Sequence, residues 1–209
     1  MFDYYLIYEK TDNAKYISHL DFVRAYNRTM RRAGLPVAFS EGFNPHPLLG
    51  FALPLSVGYT SECELLEFRL TEELPTDEIM RRLNDAAPMG IRILSVHEGK
   101  SRMKKLRYAL YRVTPERMPA ETDGFMARGE IVIDKKTKSG IKDTDIRADI
   151  VEIRPGEGVL DMVLSAGSDR NLKPDVVIKA MNKYIDGYDS GDCEYHRVAI
   201  YDGDMVEIR

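Results

Sequence analysis

The side chains whose types and spacing best suit chemistry lie between residues 18 and 47. Four arginines follow one another at helical spacing, with no lysine among them and with Asp21 as the one acid on their side of the helix. A planar guanidinium can bind a phosphate or a carboxylate through two parallel hydrogen bonds. We therefore expect this face to bind an anionic ligand. Its candidate binding residues are Arg24, Arg28, Arg31 and Arg32.

An ordinary solvated helix face is the alternative interpretation of these arginines. Such a face usually mixes the two signs of charge at i, i+4 spacing, because neighbouring opposite charges stabilise a helix. The near absence of acids favours an anionic partner instead.

A stiff loop, 40–47, follows the arginines and reads Ser-Glu-Gly-Phe-Asn-Pro-His-Pro. Each of its two prolines fixes its own φ and holds the preceding residue in an extended geometry. Binding residues are often carried by loops that a rigid scaffold positions. We therefore expect Asn44 and His46 to contact a ligand. The alternative is a wide connection that only carries the chain into the next strand.

Two further basic segments are candidates for phosphate contacts. Lys136 and Lys138 lie beside Ser139 and Gly140, and lysines on such a loop can bind backbone phosphates without reading sequence. The same composition is typical of an exposed hairpin loop. The segment 100–107 holds five basic residues and no acid, which indicates either a phosphate-contacting patch or a solvated linker.

Acid–base chemistry is the enzymatic alternative. His19 and His46 could act as base and acid on a ribose 2′-hydroxyl, as in a metal-independent ribonuclease. Helical projection turns His19 towards the apolar side of its helix, which favours a structural role. His19 and Asp21 diverge by about 160° around a helix, so we expect no metal site. Motifs for nucleotide binding or nucleophilic hydrolysis are absent, and no catalytic residue is assigned.

The arginines must be positioned by a helix. Ser18 followed by Asp21 is a capping-box-like start, and Gly34 is a natural stop. The spacing predicts a helix over 19–33 with its arginines outward and its apolar side against a core. The apolar residues are Phe22, Val23, Tyr26, Met30 and Ala33.

The predicted elements have the order β-α-β-β-α-β in the first half and a looser copy of it in the second. This order indicates an α+β fold of two ferredoxin-like units in tandem, over residues 1–99 and 100–209, with the second irregular. The predicted strands of the first half are 2–9, 36–40, 64–70 and 91–96, and its helices are 19–33 and 75–87. Residues 48–55 are a short apolar segment after the loop. In the second half we expect strands at 107–113, 130–134, 149–154, 159–165 and 195–201, and a helix at 173–185.

The composition limits the classes of protein that the chain could represent. A chain of 209 residues, 44% of them hydrophobic, can bury a sizeable core. Cys63 and Cys193 each stand alone, so no cysteine cluster could hold an iron–sulfur centre, and we expect no cofactor. No apolar run could cross a membrane and no export signal is visible, so we expect a cytoplasmic protein without membrane contact. No motif indicates DNA binding.

Several of these segments together resemble the radical SAM-linked protein family. Its members occur alone or as C-terminal extensions of radical SAM enzymes. The matching residues are 18–21, Arg24, Arg28, 31–36, 39–47 and 54–58, and later Lys136, Lys138, 145–147 and 171–174. The resemblance implies a radical SAM enzyme as partner. Because this chain lacks the clustered cysteines of such an enzyme, it would be the companion protein.

These observations predict a non-catalytic module that recognises RNA or another anionic substrate for a radical SAM enzyme. The alternative is a docking subunit that fits the same basic surface to an acidic patch of that enzyme. RNA binding predicts a steep fall of affinity with salt, whereas a protein interface retains more affinity through apolar burial.

Overall fold

The computed structural model describes residues 1–137 and 140–209. In this part of the chain, ten strands and four α-helices form an α+β protein, which confirms the predicted class. The strands are β1 (Phe2–Lys10), β2 (Leu49–Phe51), β3 (Tyr59–Leu70), β4 (Ile91–Glu98), β5 (Leu106–Pro115), β6 (Val132–Thr137), β7 (Gly140–Asp145), β8 (Ile150–Pro155), β9 (Leu160–Ser165) and β10 (Cys193–Asp202). The helices are α1 (His19–Arg32), α2 (Thr76–Ala86), α3 (Asp123–Met126) and α4 (Pro174–Tyr184).

Strands from both halves of the chain form one mixed sheet of eight strands. Its order is β4-β1-β3-β10-β5-β9-β8, with β2 also paired to β3, while β6 and β7 form a separate hairpin. The pair β3 and β10 is parallel, and the other pairs are antiparallel. Apart from the hairpin β6–β7, each half contributes four strands. In both halves the fourth, first, third and second strands lie side by side, as β4-β1-β3-β2 and as β10-β5-β9-β8. The predicted boundary near residue 100 lies between β4 and β5, inside this continuous sheet, and stays a prediction.

The first half of the sheet buries a different core on each face. Side chains alternate between faces along a strand, so Leu66 and Phe68 of β3 join one cluster, whereas Cys63 and Leu65 join the other. The apolar sides of α1 and α2 cover the first cluster. The buried residues of α4 belong to the second.

The helix α1 forms for local reasons. The Ser18 hydroxyl accepts a hydrogen bond from the Asp21 amide at 3.2 Å, which satisfies one of the free amides of the first turn. Gly34 follows the helix with a φ of 63°, a conformation that glycine adopts without strain. The inward residues Phe22, Tyr26 and Met30 are buried. The helix ends at Arg32, one residue before the predicted end.

Several strands differ in extent from the predictions. β3 begins at Tyr59 rather than at residue 64, because β10 lies alongside Tyr59–Ser61 and extends the pairing. The predicted strand 36–40 forms only isolated bridges, at Val37 and Phe39, and within the apolar segment 48–55 only Leu49–Phe51 forms a strand. The sequence pattern does not predict β7 at all. Within the described residues no helix is long and apolar enough to cross a membrane.

Candidate functional site

The outward face of α1 carries four exposed arginines, as predicted from their spacing. Arg24 forms an ion pair with Asp21 at 3.1 Å, and Arg32 donates to the Ala86 carbonyl at 2.6 Å. The guanidinium groups of Arg28 and Arg31 have no hydrogen bond or ion pair to any residue that the structure describes. With a rise of 1.5 Å per residue, Arg24, Arg28 and Arg31 follow one another at about 6 Å and about 4.5 Å along the helix axis.

The loop 40–47 is the closed end of a small hairpin. The Ser40 amide donates to the His46 carbonyl at 2.9 Å, and the His46 amide donates to the Ser40 hydroxyl at 3.1 Å. The Ser40 hydroxyl also lies 2.8 Å from His46 Nδ1. Phe39 and Pro47 form the next antiparallel bridge. The residues of the tip, 41–45, are therefore held by a closed base and exposed to solvent.

A cavity of about 330 Å³ lies beside this loop. His46 lines it, together with the charged residues Asp3, Glu67, Arg69 and Lys100. Asp3 accepts from Arg69 at 2.5 Å and lies 3.9 Å from the Lys100 ammonium. Arg69 and Lys100 therefore share the carboxylate of Asp3. The volume of the cavity is in the range of small-molecule sites. Asn44 is exposed at the tip but does not line this cavity.

The C-terminal end of α1 and the loop lie at the same end of β3. After α1 ends, Val37 forms a bridge with Leu70 at the end of β3, and the Thr71 amide donates to the Pro36 carbonyl at 2.8 Å. The C-terminal turn of α1 and the loop are thus tied to the same strand end.

The two histidines of the ribonuclease alternative line different cavities. His19 faces a smaller cavity with Lys10 and Glu64, and its ring lies edge-on to Phe51 at 5.6 Å. His46 lines the cavity beside the loop. Acid–base catalysis on one ribose requires both imidazoles at the same atoms, and the ribonuclease alternative stays a prediction.

Two further basic segments were predicted to contact phosphates. Lys138 and the side chain of Lys136 lie outside the described residues. In the segment 100–107, Arg102 pairs with Asp202, and Arg107 donates to the Leu106 carbonyl at 2.8 Å. Lys104 and Lys105 are exposed. Among the described residues, no group of three or more histidine, cysteine or acidic side chains could hold a metal ion.

Comparison with protein families gives one result. A family model described as an uncharacterized protein conserved in bacteria (DUF2344) matches residues 4–174. The chain belongs to the DUF2344 family. The match includes α1 and the loop and ends at the first residue of α4. No curated protein is significantly similar to the chain.

A further group of charges in this DUF2344 chain was not found by sequence reasoning. Arg197 of β10 is buried and donates to Glu64 of β3 at 2.7 Å, and Lys10 of β1 is buried near them. Burial lowers the pKa of Lys10, although Glu64 acts against this shift. Burial also acts against the charge of Arg197, but Glu64 and Tyr111 outweigh it and raise the pKa. Glu64 and Arg197 are far apart in sequence, so periodicity could not have paired them.

Basic residues near the α1 arginines were also missed. Arg82 of α2 donates to the Gly34 carbonyl at 3.3 Å and pairs with Glu78. It lines, with Arg32, a cavity of about 480 Å³ between the C-terminal ends of α1 and α2. The basic character of Arg82 was visible in the sequence, but its place beside α1 depends on how the two helices pack.

Proposed function

We propose that this protein is a non-catalytic module that binds RNA, or a similar anionic substrate, for a radical SAM enzyme. The observation that carries the proposal is the pair Arg28 and Arg31. Both are exposed on α1 and neither has a carboxylate partner in the described part of the chain. Unpaired guanidinium groups in a row suit a ligand with repeated negative charges, because each can bind one phosphate.

The sheet is the rigid support for this surface. We propose that each half is a ferredoxin-like unit, since each combines the element order β-α-β-β-α-β with the repeated strand order described above. The hairpin β6–β7 would then be an insertion in the second unit. In this arrangement α1 belongs to the first unit, and its apolar side is fixed to the sheet by Phe22, Tyr26 and Met30.

The proposal is tested with the double variant Arg28→Ala, Arg31→Ala. Binding of a short unstructured RNA is measured by fluorescence anisotropy over a series of salt concentrations. Each lost phosphate contact lowers the slope of log affinity against log salt by about 0.7 for a single strand, so a reduction of about 1.4 is expected. The variant Arg117→Ala, Arg154→Ala removes the same charge from exposed arginines of the second half and is expected to bind as the wild type does.

Retained affinity and an unchanged salt slope in the Arg28, Arg31 variant would refute this site. Both replaced side chains are exposed, so the midpoint of thermal unfolding should stay near the wild-type value. That measurement separates loss of binding from loss of folding.

A docking subunit for the radical SAM enzyme is the second candidate. It is favoured by Leu20, an exposed apolar residue in the first turn of α1. Apolar burial at an interface resists salt, whereas phosphate contacts do not. The test is a pull-down of the tagged protein from its own cells, with and without nuclease treatment. Recovery of a radical SAM protein in both cases, with no RNA bound, would favour docking.

A further inference from the structure

The tip of the loop presents one aromatic ring entirely to solvent. Phe43 has an exposed fraction of 107%, and its ring makes no aromatic contact within the residues that the structure describes. Its neighbour Asn44 is exposed as well. A single exposed apolar side chain is ordinary on a protein surface, so exposure alone does not assign it a role.

The loop restrains the backbone that carries this ring. Ser40 and His46 close its base through hydrogen bonds of 2.9 Å and 3.1 Å, and Pro45 restricts the residue before it. A loop whose backbone is already restrained loses less conformational entropy when a ligand covers its tip. Phe43 is therefore presented by a closed loop and not by a flexible segment.

The surroundings of the ring favour a nucleic acid over an apolar protein groove. The tip also presents the polar residues Glu41 and Asn44, and the exposed apolar residues Phe39 and Pro45 lie nearby in the chain. The cavity next to the loop holds Arg69 and Lys100 together with Asp3 and Glu67. The C-terminal turn of α1, with Arg31 and Arg32, is tied to the same strand end as the loop. A ligand that suits this combination has negative charges along its backbone and planar faces between them.

We propose that Phe43 stacks on an unpaired base of the bound RNA. This inference rests on the proposed function and narrows its substrate class to RNA that contains unpaired nucleotides. The arginines of α1 bind phosphates, while the phenyl ring covers the face of one base. Because every base has a planar face, the contact contributes affinity with little sequence preference.

The first test compares Phe43→Ala with the wild type on two ligands. One is a short unstructured RNA, and the other is a fully paired RNA duplex, whose bases are already stacked inside the helix. Loss of a stacked base weakens binding by about 5- to 150-fold, and we expect this loss on the unstructured RNA only. Met89→Ala is the matched control, because Met89 is another exposed apolar residue of the same half and lies in the connection between α2 and β4.

The second test detects the contact directly. The chain contains no tryptophan, so Phe43→Trp introduces a single indole whose fluorescence reports on its own surroundings. Stacking on a base should quench this fluorescence on addition of unstructured RNA, with affinity near that of the wild type. Met89→Trp provides the control, since Met89 is exposed in the connection between α2 and β4, and its indole should not be quenched.

The outcomes separate this inference from the proposed function. Equal affinity of Phe43→Ala and wild type for unstructured RNA would overturn the stacking role. If Arg28→Ala, Arg31→Ala still weakened RNA binding in that case, the proposed function would stand. Absence of RNA binding by the wild type would overturn both. Loss of a radical SAM partner in Phe43→Ala, with RNA binding unchanged, would assign Phe43 to protein docking and overturn the stacking role.

Discussion

Replacement of Arg197 with methionine is expected to lower the free energy of unfolding by about 3–5 kcal/mol. The side chain is 3% exposed and donates to Glu64 at 2.7 Å, to the Leu53 carbonyl at 3.0 Å and to the Tyr111 hydroxyl at 3.3 Å. Methionine keeps much of the apolar contact but cannot donate. The variant therefore leaves the Glu64 carboxylate buried without its cation.

The magnitude follows from the bonds that are lost. A hydrogen bond to a charged group contributes about 1.5–3 kcal/mol, and a buried carbonyl left without a donor costs about 1–3 kcal/mol. Lys10 offsets part of this loss, because its ammonium interacts with the Glu64 charge. The Tyr111 hydroxyl is the weakest of the three partners by distance, so it adds little.

Urea denaturation at neutral pH, followed by circular dichroism, measures this loss. The double variant Arg197→Met, Glu64→Leu removes both charges and is expected to recover part of the stability, because apolar replacements of a buried pair are often neutral. The recovery is incomplete because the Leu53 carbonyl stays without its donor and Lys10 loses the Glu64 charge. Arg112→Met is the control. Its pair with Asp161 is at the surface, so the expected loss is under about 1 kcal/mol. A loss of that size in Arg197→Met, or a double variant no more stable than the single one, would refute the reasoning.

Two further predictions concern stability. Burial raises the pKa of Cys63 from 9.0 to about 12, so above pH 9 the unfolded chain releases this proton while the folded chain retains it. Stability therefore falls with rising pH, by about 1.4 kcal/mol per unit near pH 10, and the fall should be shallower in Cys63→Ala when urea titrations at several pH values are compared. Ser18→Ala removes the cap of α1 and should lower the unfolding free energy by about 1 kcal/mol in a thermal melt; an unchanged midpoint would show that the cap is dispensable.

The helix α1 was predicted nearly residue for residue because its causes are local. The apolar spacing fixes which side is buried, and Ser18 fixes where the helix begins. Exposure of the arginines follows from the same periodicity. The closed loop was also indicated, since its two prolines act on their own neighbours. Its roles in binding, and those of Asn44 and His46, stay predictions.

The sequence alone therefore determined the α+β class, the helix with its outward arginines and the stiff loop after it. Only the tertiary structure decided that β3 and β10 join the two halves in one sheet, that Glu64 meets Arg197, and that His19 and His46 line different cavities. The physical reason is the range of the interactions. Helix periodicity, capping and proline geometry act within a few residues, whereas strand pairing and buried ion pairs depend on chain segments that meet only after folding.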